Sequence, residues 1–207
     1  ALLLHDQGAV ALRTILTGTA PQASLPPTIV LTLALQVVES LDGIHRQRVL
    51  HQDINPANII VPPQLGALCA AGRVAEAEAL LRSDAGRATL IDFGIATLLP
   101  EENTPFIHPS GLSGTLAYLS PEQTGRMNRP VDYRTDYYSL GVTLYELFCG
   151  QRPFPSEDPL ELVHCHIARL PPPLRVAGLA LQPGNFLRPT PSLPVHFQDI
   201  DPSLECL

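Results

Sequence analysis

The stretch that most constrains the fold of this chain is Val49–Ile60, which reads VLHQDINPANII. It places an acid, Asp53, and an amide, Asn58, on a short Pro-containing loop between two apolar runs. Apolar runs bounded by turn residues are typical of buried strands, so we expect both side chains at one edge of the core. A carboxylate there can accept a proton from a hydroxyl, and an amide oxygen is a suitable ligand for a divalent metal ion.

A second acid follows a separate apolar run. The triplet Asp92-Phe93-Gly94 comes 39 positions after Asp53, directly behind Ala88–Ile91. Further on, Gly114–Glu122 reads GTLAYLSPE and Asp136–Gly141 reads DYYSLG. Taken singly, these blocks have ordinary structural interpretations as a polar turn, a helix N-cap and a buried helix. Their order along the chain makes the combination specific.

The blocks resemble those of the protein kinase family. In particular, four strings resemble the Ser/Thr-kinase-like domain of large hybrid sensor kinases. In those proteins a kinase domain precedes ATPase, GAF and histidine-kinase modules. The strings are HQDINPANI, LIDFGIAT, GTLAYLSPEQTGRMNRPVDYRTDYYSLGVTLYEL and ELVHCHIA. The resemblance covers residues 1–170 except for about 64–87, which we interpret as a helical insertion at the surface. It implies an α+β, protein-kinase-like fold with a mostly α-helical C-terminal lobe, the N-terminal lobe being absent or reduced to the hinge.

The resemblance also implies roles for individual residues. Asp53 would accept or orient the proton of a protein Ser or Thr hydroxyl, and Asn58 and Asp92 would hold the Mg²⁺ ions that bridge the phosphates of ATP. Thr115 would contact Asp53 from the substrate-facing loop. Asp136 would accept hydrogen bonds from the backbone of the His51-Gln52 pair.

One segment and one further residue are assigned to the nucleotide. We expect the interlobe hinge, whose backbone would hold the adenine, at His5 to Gln7, and Ile60 is assigned to the nucleotide site as well. From the residues alone, an ordinary strand–turn–helix at 1–18 is at least as good an interpretation of the hinge segment.

Several residues depart from the family pattern. The Gly-rich loop and the phosphate-binding Lys have no counterpart, and Asn55 stands where most Ser/Thr kinases carry a Lys. Gln52 replaces the Arg that usually precedes the catalytic Asp, so we predict no strict dependence on activation-loop phosphorylation. No Arg partner for Glu122 is recognisable, and an unpaired buried carboxylate would cost several kcal/mol.

Composition excludes several classes of protein. The net charge of −7 and the lack of a basic run argue against a nucleic-acid binder. The longest apolar run, Thr28–Val38, is too short to cross a bilayer, so no membrane insertion is expected. The four cysteines form no CxxC pair, which favours reduced thiols and a cytoplasmic location. His164-Cys165-His166 lacks a second ligand cluster and does not predict a metal site.

Periodicity predicts the helices of the chain. One short helix is expected from Ala9 to Leu16, a buried helix from an N-cap at Thr28 to about Ile44, and one helix over Gly66–Ser83. Two more follow over Asp132–Cys149 and Leu160–Leu170. Residues 171–207 are Pro-rich and predict an irregular tail behind a partial kinase domain at 1–170.

Two other functions stay open on the sequence. One is a pseudokinase, or a regulatory module that binds a nucleotide without transferring phosphate. The other is a small-molecule phosphotransferase, which shares an HxDxxxxN-like loop and a metal-binding Asp. The SPE block at 120–122 and the DYYSLG helix argue against the latter.

Overall fold

The computed structural model describes residues 8–18, 24–93, 97–98, 115–176 and 179–180. Its α-helices are α1 Leu12–Gly18, α2 Pro27–Arg46, α3 Gln64–Ala70, α4 Val74–Arg82, α5 Arg134–Cys149 and α6 Pro159–Ala168. Its strands are β1 Val10–Ala11, β2 Val49–Leu50, β3 Ile59–Val61, β4 Thr89–Leu90, β5 Thr97–Leu98, β6 Arg175–Val176 and β7 Leu179–Ala180. Three 3₁₀ turns cover Asp84–Gly86, Thr115–Tyr118 and Glu122–Thr124.

The strands form three small antiparallel sheets. The largest has the order β1-β3-β4, with Val10 opposite Val61 and Ile59 opposite Leu90. β2 pairs with β5, and β6 pairs with β7. The expected combination of helices with a small sheet is therefore confirmed. The strands matter to the site because the loop at 51–58 lies between β2 and β3, and Asp92 lies just beyond β4.

Helix α2 runs through the main core. Its inward face buries Ile29, Leu33, Val37 and Leu41, as a central helix should. Within the part of the chain that the structure describes, α2 is also the one helix long and apolar enough to be a candidate membrane span. The same length and composition are found in core helices of soluble proteins, and the inward face of α2 is packed in the core.

The start of α2 differs from the prediction. Thr28 lies inside the helix and is not its N-cap, which is Pro26 in an extended conformation. Pro27 occupies the first helical position, where its missing N–H would have no intrahelical partner and its fixed φ suits the helix. The backbone carbonyl of Thr28 accepts a hydrogen bond from the Thr32 hydroxyl, 2.9 Å away. Two consecutive prolines therefore replace a polar cap.

The helix predicted over Gly66–Ser83 is two helices in the structure. Gly72 adopts a left-handed conformation, with φ of 69°, and separates α3 from α4. Its N–H bonds the carbonyl of Cys69, and the next N–H, from Arg73, bonds the carbonyl of Leu68. This is a helix-ending glycine, which closes α3 by satisfying its last carbonyl groups.

The same segment is more deeply packed than the expected surface insertion. Leu65, Ala77 and Leu81 are fully buried in the main core. From α2, the buried Gln36 side chain donates to the carbonyl of Leu81 at 2.7 Å and accepts the N–H of Ala88 at 2.9 Å. The insertion therefore completes the core, while β3 and β4 still pair on either side of it.

The remaining helices begin or end close to the predicted residues. α1 begins at Leu12, because Val10 and Ala11 pair with β3. α5 ends at Gly150, which has φ of 71° and donates its N–H to the carbonyl of Glu146, as the pattern predicts. α6 begins behind Asp158, whose carboxylate caps the N–H of Leu160. The β6–β7 hairpin lies within the predicted irregular tail.

Candidate active site

A buried carboxylate holds the start of the loop between β2 and β3. Asp136, in the first turn of α5, is fully buried and accepts the backbone N–H groups of His51 at 3.0 Å and Gln52 at 2.7 Å. The role expected for Asp136 is confirmed. The sequence did not indicate a third contact, in which the His45 ring lies 2.7 Å from the same carboxylate. Three polar contacts thus offset the desolvation of this carboxylate.

The anchored backbone has an unusual conformation. Gln52 has φ of 65°, and Asp92 has φ of 63°. A non-glycine residue in this left-handed region carries strain of about 1–3 kcal/mol, which the surrounding contacts must offset. A third such residue, Arg48 with φ of 60°, lies in the turn between α2 and β2, whereas Gln52 precedes Asp53 and Asp92 is itself a predicted site residue. Strain of this kind is often found at functional sites.

Two amides fix the carboxylate of Asp53. Asn55 donates to its Oδ1 at 2.8 Å, and Asn58 donates to its Oδ2 at 2.8 Å. Both amides also donate to the backbone carbonyl of Asp53, at 3.2 and 2.9 Å. Asn55 and Asn58 are buried, whereas Asp53 is half-buried. The carboxylate is therefore oriented from the protein side and accessible from outside.

Backbone contacts bring Asp92 to the same place. The N–H of Ile91 donates to the carbonyl of Asn58 at 3.0 Å, and the His51 ring lies 3.1 Å from the carbonyl of Ile91. The His51 and Phe93 rings pack with centroids 4.8 Å apart. The exposed Asp92 thus follows directly on a residue bonded to Asn58. The structure therefore brings Asp53 and Asn58 into contact and places Asp92 one residue beyond a backbone bond to Asn58.

The donor set suits magnesium shared with phosphate. The Asn58 amide group directs its N–H toward Asp53, which leaves its oxygen as a hard, neutral ligand, and Asp92 offers a carboxylate. No group of three or more His, Cys, Asp or Glu side chains that could enclose a metal occurs in the described ranges. Mg²⁺ is commonly held by one or two protein ligands together with substrate phosphates, so these residues fit that mode.

The other predicted site residues are less well defined. Ile60 lies half-buried at the centre of the three-stranded sheet, between Ala11 and Thr89, and its contact with a nucleotide stays a prediction. Thr115 begins a 3₁₀ turn, but its side chain is outside the described part of the chain, as are the whole of His5 and Gln7. Their roles also stay predictions.

Glu122 does not have the environment expected for it. It is half-buried and accepts a hydrogen bond from the Thr135 hydroxyl at 2.7 Å, so the expectation of an unpaired buried carboxylate is wrong. A hydrogen bond from the hydroxyl of a Thr 13 positions away leaves no recognisable signal in the sequence. A cavity of about 180 Å³ adjoins it, and this cavity does not include Asp53, Asn58 or Asp92. Its walls are Pro121, Glu122, Arg129, Pro130, Asp132, Arg134 and Tyr138.

Sequence reasoning missed a second polar cluster at the 3₁₀ turn Thr115–Tyr118. The buried Tyr118 donates its hydroxyl hydrogen to Glu146 of α5 and accepts a hydrogen bond from Arg13 of α1. Burial, and next the charge of Glu146, raise the pKa of Tyr118 well above its usual range. The only sequence signal was a Glu within the apolar face of α5. The cluster ties three separate elements together beneath the turn at 115–118.

Comparison with known proteins finds protein kinases, both as the matching family and as similar individual proteins. Residues 9–183 match the protein kinase domain family. The chain is 33% identical over 147 residues to the probable serine/threonine-protein kinase PknB of Bifidobacterium longum, and 28% identical over 181 residues to serine/threonine-protein kinase PknB of Mycobacterium tuberculosis. These alignments cover 70 and 86% of this chain but only 18 and 25% of the two relatives. The chain therefore spans a quarter or less of the length of these curated relatives.

Proposed function

Because this chain belongs to the protein kinase family, we propose that it transfers the terminal phosphoryl group of ATP to a Ser or Thr hydroxyl of a protein substrate. One observation carries the proposal. Asn58 donates its amide to the Asp53 carboxylate and accepts, through its backbone carbonyl, the N–H of Ile91. Asp53, Asn58 and the adjoining Asp92 are therefore connected by hydrogen bonds through Asn58. Phosphoryl transfer depends on such fixed positions of its catalytic groups.

Each residue then has a definite task. Asp53, oriented by two amides, accepts or orients the proton of the substrate hydroxyl. The Asn58 oxygen and the Asp92 carboxylate hold Mg²⁺, which when bound neutralises the charge of the phosphates. His51 packs against Phe93 and the carbonyl of Ile91, and so keeps Asp92 close to the loop.

A second candidate is a module that binds nucleotide without transferring phosphate. Asn55 favours it, because its side chain is buried and bonded to Asp53 and Ala57, and so offers no cation to the terminal phosphate. We expect transfer to be slow for the same reason, since charge neutralisation is a major part of phosphoryl-transfer catalysis.

The test uses the full-length protein with ATP, Mg²⁺ and a library of Ser, Thr and Tyr peptides. We expect phosphate on Ser or Thr, and a loss of at least about a hundredfold in Asp53→Asn, because the carboxylate that accepts the proton is removed. Asp84→Asn is the matched control, because Asp84 is an exposed acid in the 3₁₀ turn beyond α4. Magnesium-dependent ATP binding by calorimetry without any transfer would favour the second candidate.

We propose a wider setting from the motif strings. The chain supplies the catalytic lobe of the kinase domain. ATPase, sensor and histidine-kinase modules follow in a longer signalling protein. We place the reaction in the cytoplasm, where ATP is available; the free thiols of Cys69, Cys149 and Cys165 support this placement.

A further inference from the structure

One buried side chain joins the Ser120-Pro121-Glu122 segment to the catalytic loop. Gln123 lies in the 3₁₀ turn Glu122–Thr124 and is almost fully buried. Its amide N–H donates to the backbone carbonyl of Gln52 at 2.9 Å, across 71 positions of sequence. Its amide oxygen accepts the backbone N–H of Ser120 at 3.0 Å. Both ends of a single amide are thus used to bridge two segments of the site.

The carbonyl that Gln123 holds belongs to the strained residue of the loop. Gln52 has φ of 65°, and its N–H is bonded to Asp136. Its peptide groups are therefore held on both sides, by Asp136 from α5 and by Gln123 from the turn. The Gln52 carbonyl and the Asp53 N–H belong to the same planar peptide unit. The direction of this carbonyl therefore determines the orientation of the peptide group that precedes Asp53.

We propose that Gln123 is a positioning residue for the phosphoryl transfer, which transmits the conformation of the Ser120–Glu122 segment to Asp53 through the Gln52 carbonyl. The proposal rests on the proposed function. The bond joins two neutral groups and needs no phosphate, whereas the family pattern places a phosphate-binding Arg at position 52. In this chain a hydrogen bond between two uncharged groups therefore links the Ser120–Glu122 segment to the catalytic loop.

Neighbouring contacts stabilise this link. The Ser120 hydroxyl donates to Thr135 at 3.3 Å, and Thr135 donates in turn to Glu122. The Ser139 hydroxyl of α5 donates to the carbonyl of Tyr118 at 2.7 Å. The segment is consequently docked on α5, the same helix whose Asp136 anchors the loop. A rearrangement of the segment would withdraw Gln123 from Gln52.

Replacement of Gln123 by Glu gives a specific test, because the shape is kept while the amide donor is replaced by an ionisable group. A carboxylate can still accept the Ser120 N–H, but it donates to the Gln52 carbonyl only when it is protonated. Burial raises the pKa of a carboxyl group. The carboxyls nearest to these partners, Asp53, Glu122 and Asp136, act in the same direction. His45, bonded to Asp136, opposes them when protonated.

In the full-length protein we expect Gln123→Glu to lower kcat at pH 8 by about tenfold to a hundredfold, since small displacements of a catalytic group have effects of this size. Its kcat relative to wild type should recover as the pH falls to 6, while KM for ATP changes less than about twofold, because the bond fixes Asp53 and not the nucleotide. Gln123→Leu should be impaired at both pH values. Thr124→Val is the matched control, because the Thr124 hydroxyl bonds the carbonyl of Pro121 and the N–H of Arg126, which are local partners, and neither belongs to the catalytic loop.

Amide hydrogen exchange supplies a measurement that does not depend on activity. In Gln123→Leu, the peptide covering 49–54 should exchange faster, while peptides from α2 keep their wild-type rates. Wild-type kcat in Gln123→Leu, or unchanged exchange at 49–54, would overturn the proposal. An inactive wild-type protein would instead refute the proposed function, and the exchange measurement alone would then decide the role of Gln123.

Discussion

Asn55 orients the carboxylate of Asp53 but supplies no charge at a position where the family pattern has a Lys. Its amide donates to the carboxylate and the carbonyl of Asp53, and its oxygen accepts the N–H of Ala57. All three contacts close within the loop. Asn55 thus contributes orientation where the family pattern provides charge, and the half-buried Asp53 depends on it for one of its two amide donors.

Replacement of Asn55 by Ala should therefore lower kcat. We expect a decrease of about tenfold, with a change in KM for ATP of less than about twofold, because the lost bonds orient Asp53 and not the nucleotide. Steady-state kinetics of the full-length protein would measure both values. Asn128→Ala, at an exposed position outside the site, should leave them unchanged. Equal kcat in Asn55→Ala and wild type would show that Asn58 alone orients the carboxylate.

At the residue scale, the sequence predicted those contacts that a motif specifies. The carboxylate of Asp136 binds the loop backbone as the resemblance implied, and Asn58 lies beside Asp53. The partners of Asn55 and Glu122 could not be predicted. Each depends on a short side chain whose bonds are determined by the local path of the backbone and not by residue type.

Among the elements, the helical insertion between β3 and β4 is the one whose packing the sequence left open. The pattern of Ala, Leu and Glu correctly predicted helix, but it could not place the break at Gly72, because propensity alone does not reveal a left-handed residue. It also could not show that Leu65 and Leu81 reach the main core, because the periodicity of one helix does not reveal which other elements its apolar face meets.

The turn beyond α4 gives a sharp test of this packing. A Cβ atom on Gly86 would lie 1.8 Å from the backbone carbonyl oxygen of Leu80, so the backbone would have to move. We expect Gly86→Ala to lower the free energy of unfolding by about 1–3 kcal/mol, the usual effect of overpacking. Denaturant unfolding would measure this change.

Gly43 in α2 supplies a control of opposite sign. Apart from the neighbouring residues and the backbone of α2 itself, no heavy atom of the described residues lies within 4 Å of the Cβ that Ala would add there, and Gly43 is exposed. Gly43→Ala should therefore raise the free energy of unfolding by up to about 1 kcal/mol, the difference in helix propensity. Equal effects of the two substitutions would contradict the close approach at Gly86.

For the molecule as a whole, stability should depend on one buried histidine. His166 of α6 is buried against the Phe154 ring, and its Nδ1 lies 2.9 Å from the Tyr138 hydroxyl of α5. Burial lowers the pKa of His166, an effect that hydrogen bonding with the Leu116 and Ala117 backbone partly offsets. The unfolded chain therefore binds a proton at this residue more readily than the folded chain does.

Stability should consequently fall as the pH drops below about 6.5, the ordinary pKa of histidine. Thermal unfolding between pH 7.5 and 5.5 would measure this. The dependence should be weaker in His166→Gln and unchanged in His164→Gln, whose native side chain is exposed. An identical pH dependence in wild type and His166→Gln would exclude His166 as its source.

The fold class followed from the family resemblance of the motif blocks, and the longer helices followed from their periodic apolar residues. α2, α5 and α6 were each predicted near their observed positions. The β6–β7 hairpin was not, because each strand has only two residues, too few to show an alternation. The family match extends to residue 183 and so includes this hairpin.

The central claim is that Asp53, Asn58 and Asp92 act together on one phosphoryl group. Its most direct test is a double-mutant cycle on kcat/KM in the full-length protein, with Asp53→Asn, Asp92→Asn and the double variant. Residues that act as a unit give strongly non-additive effects, so the double variant should be about as slow as the slower single variant. Single effects that multiply in the double variant, or singles as active as wild type, would contradict the account.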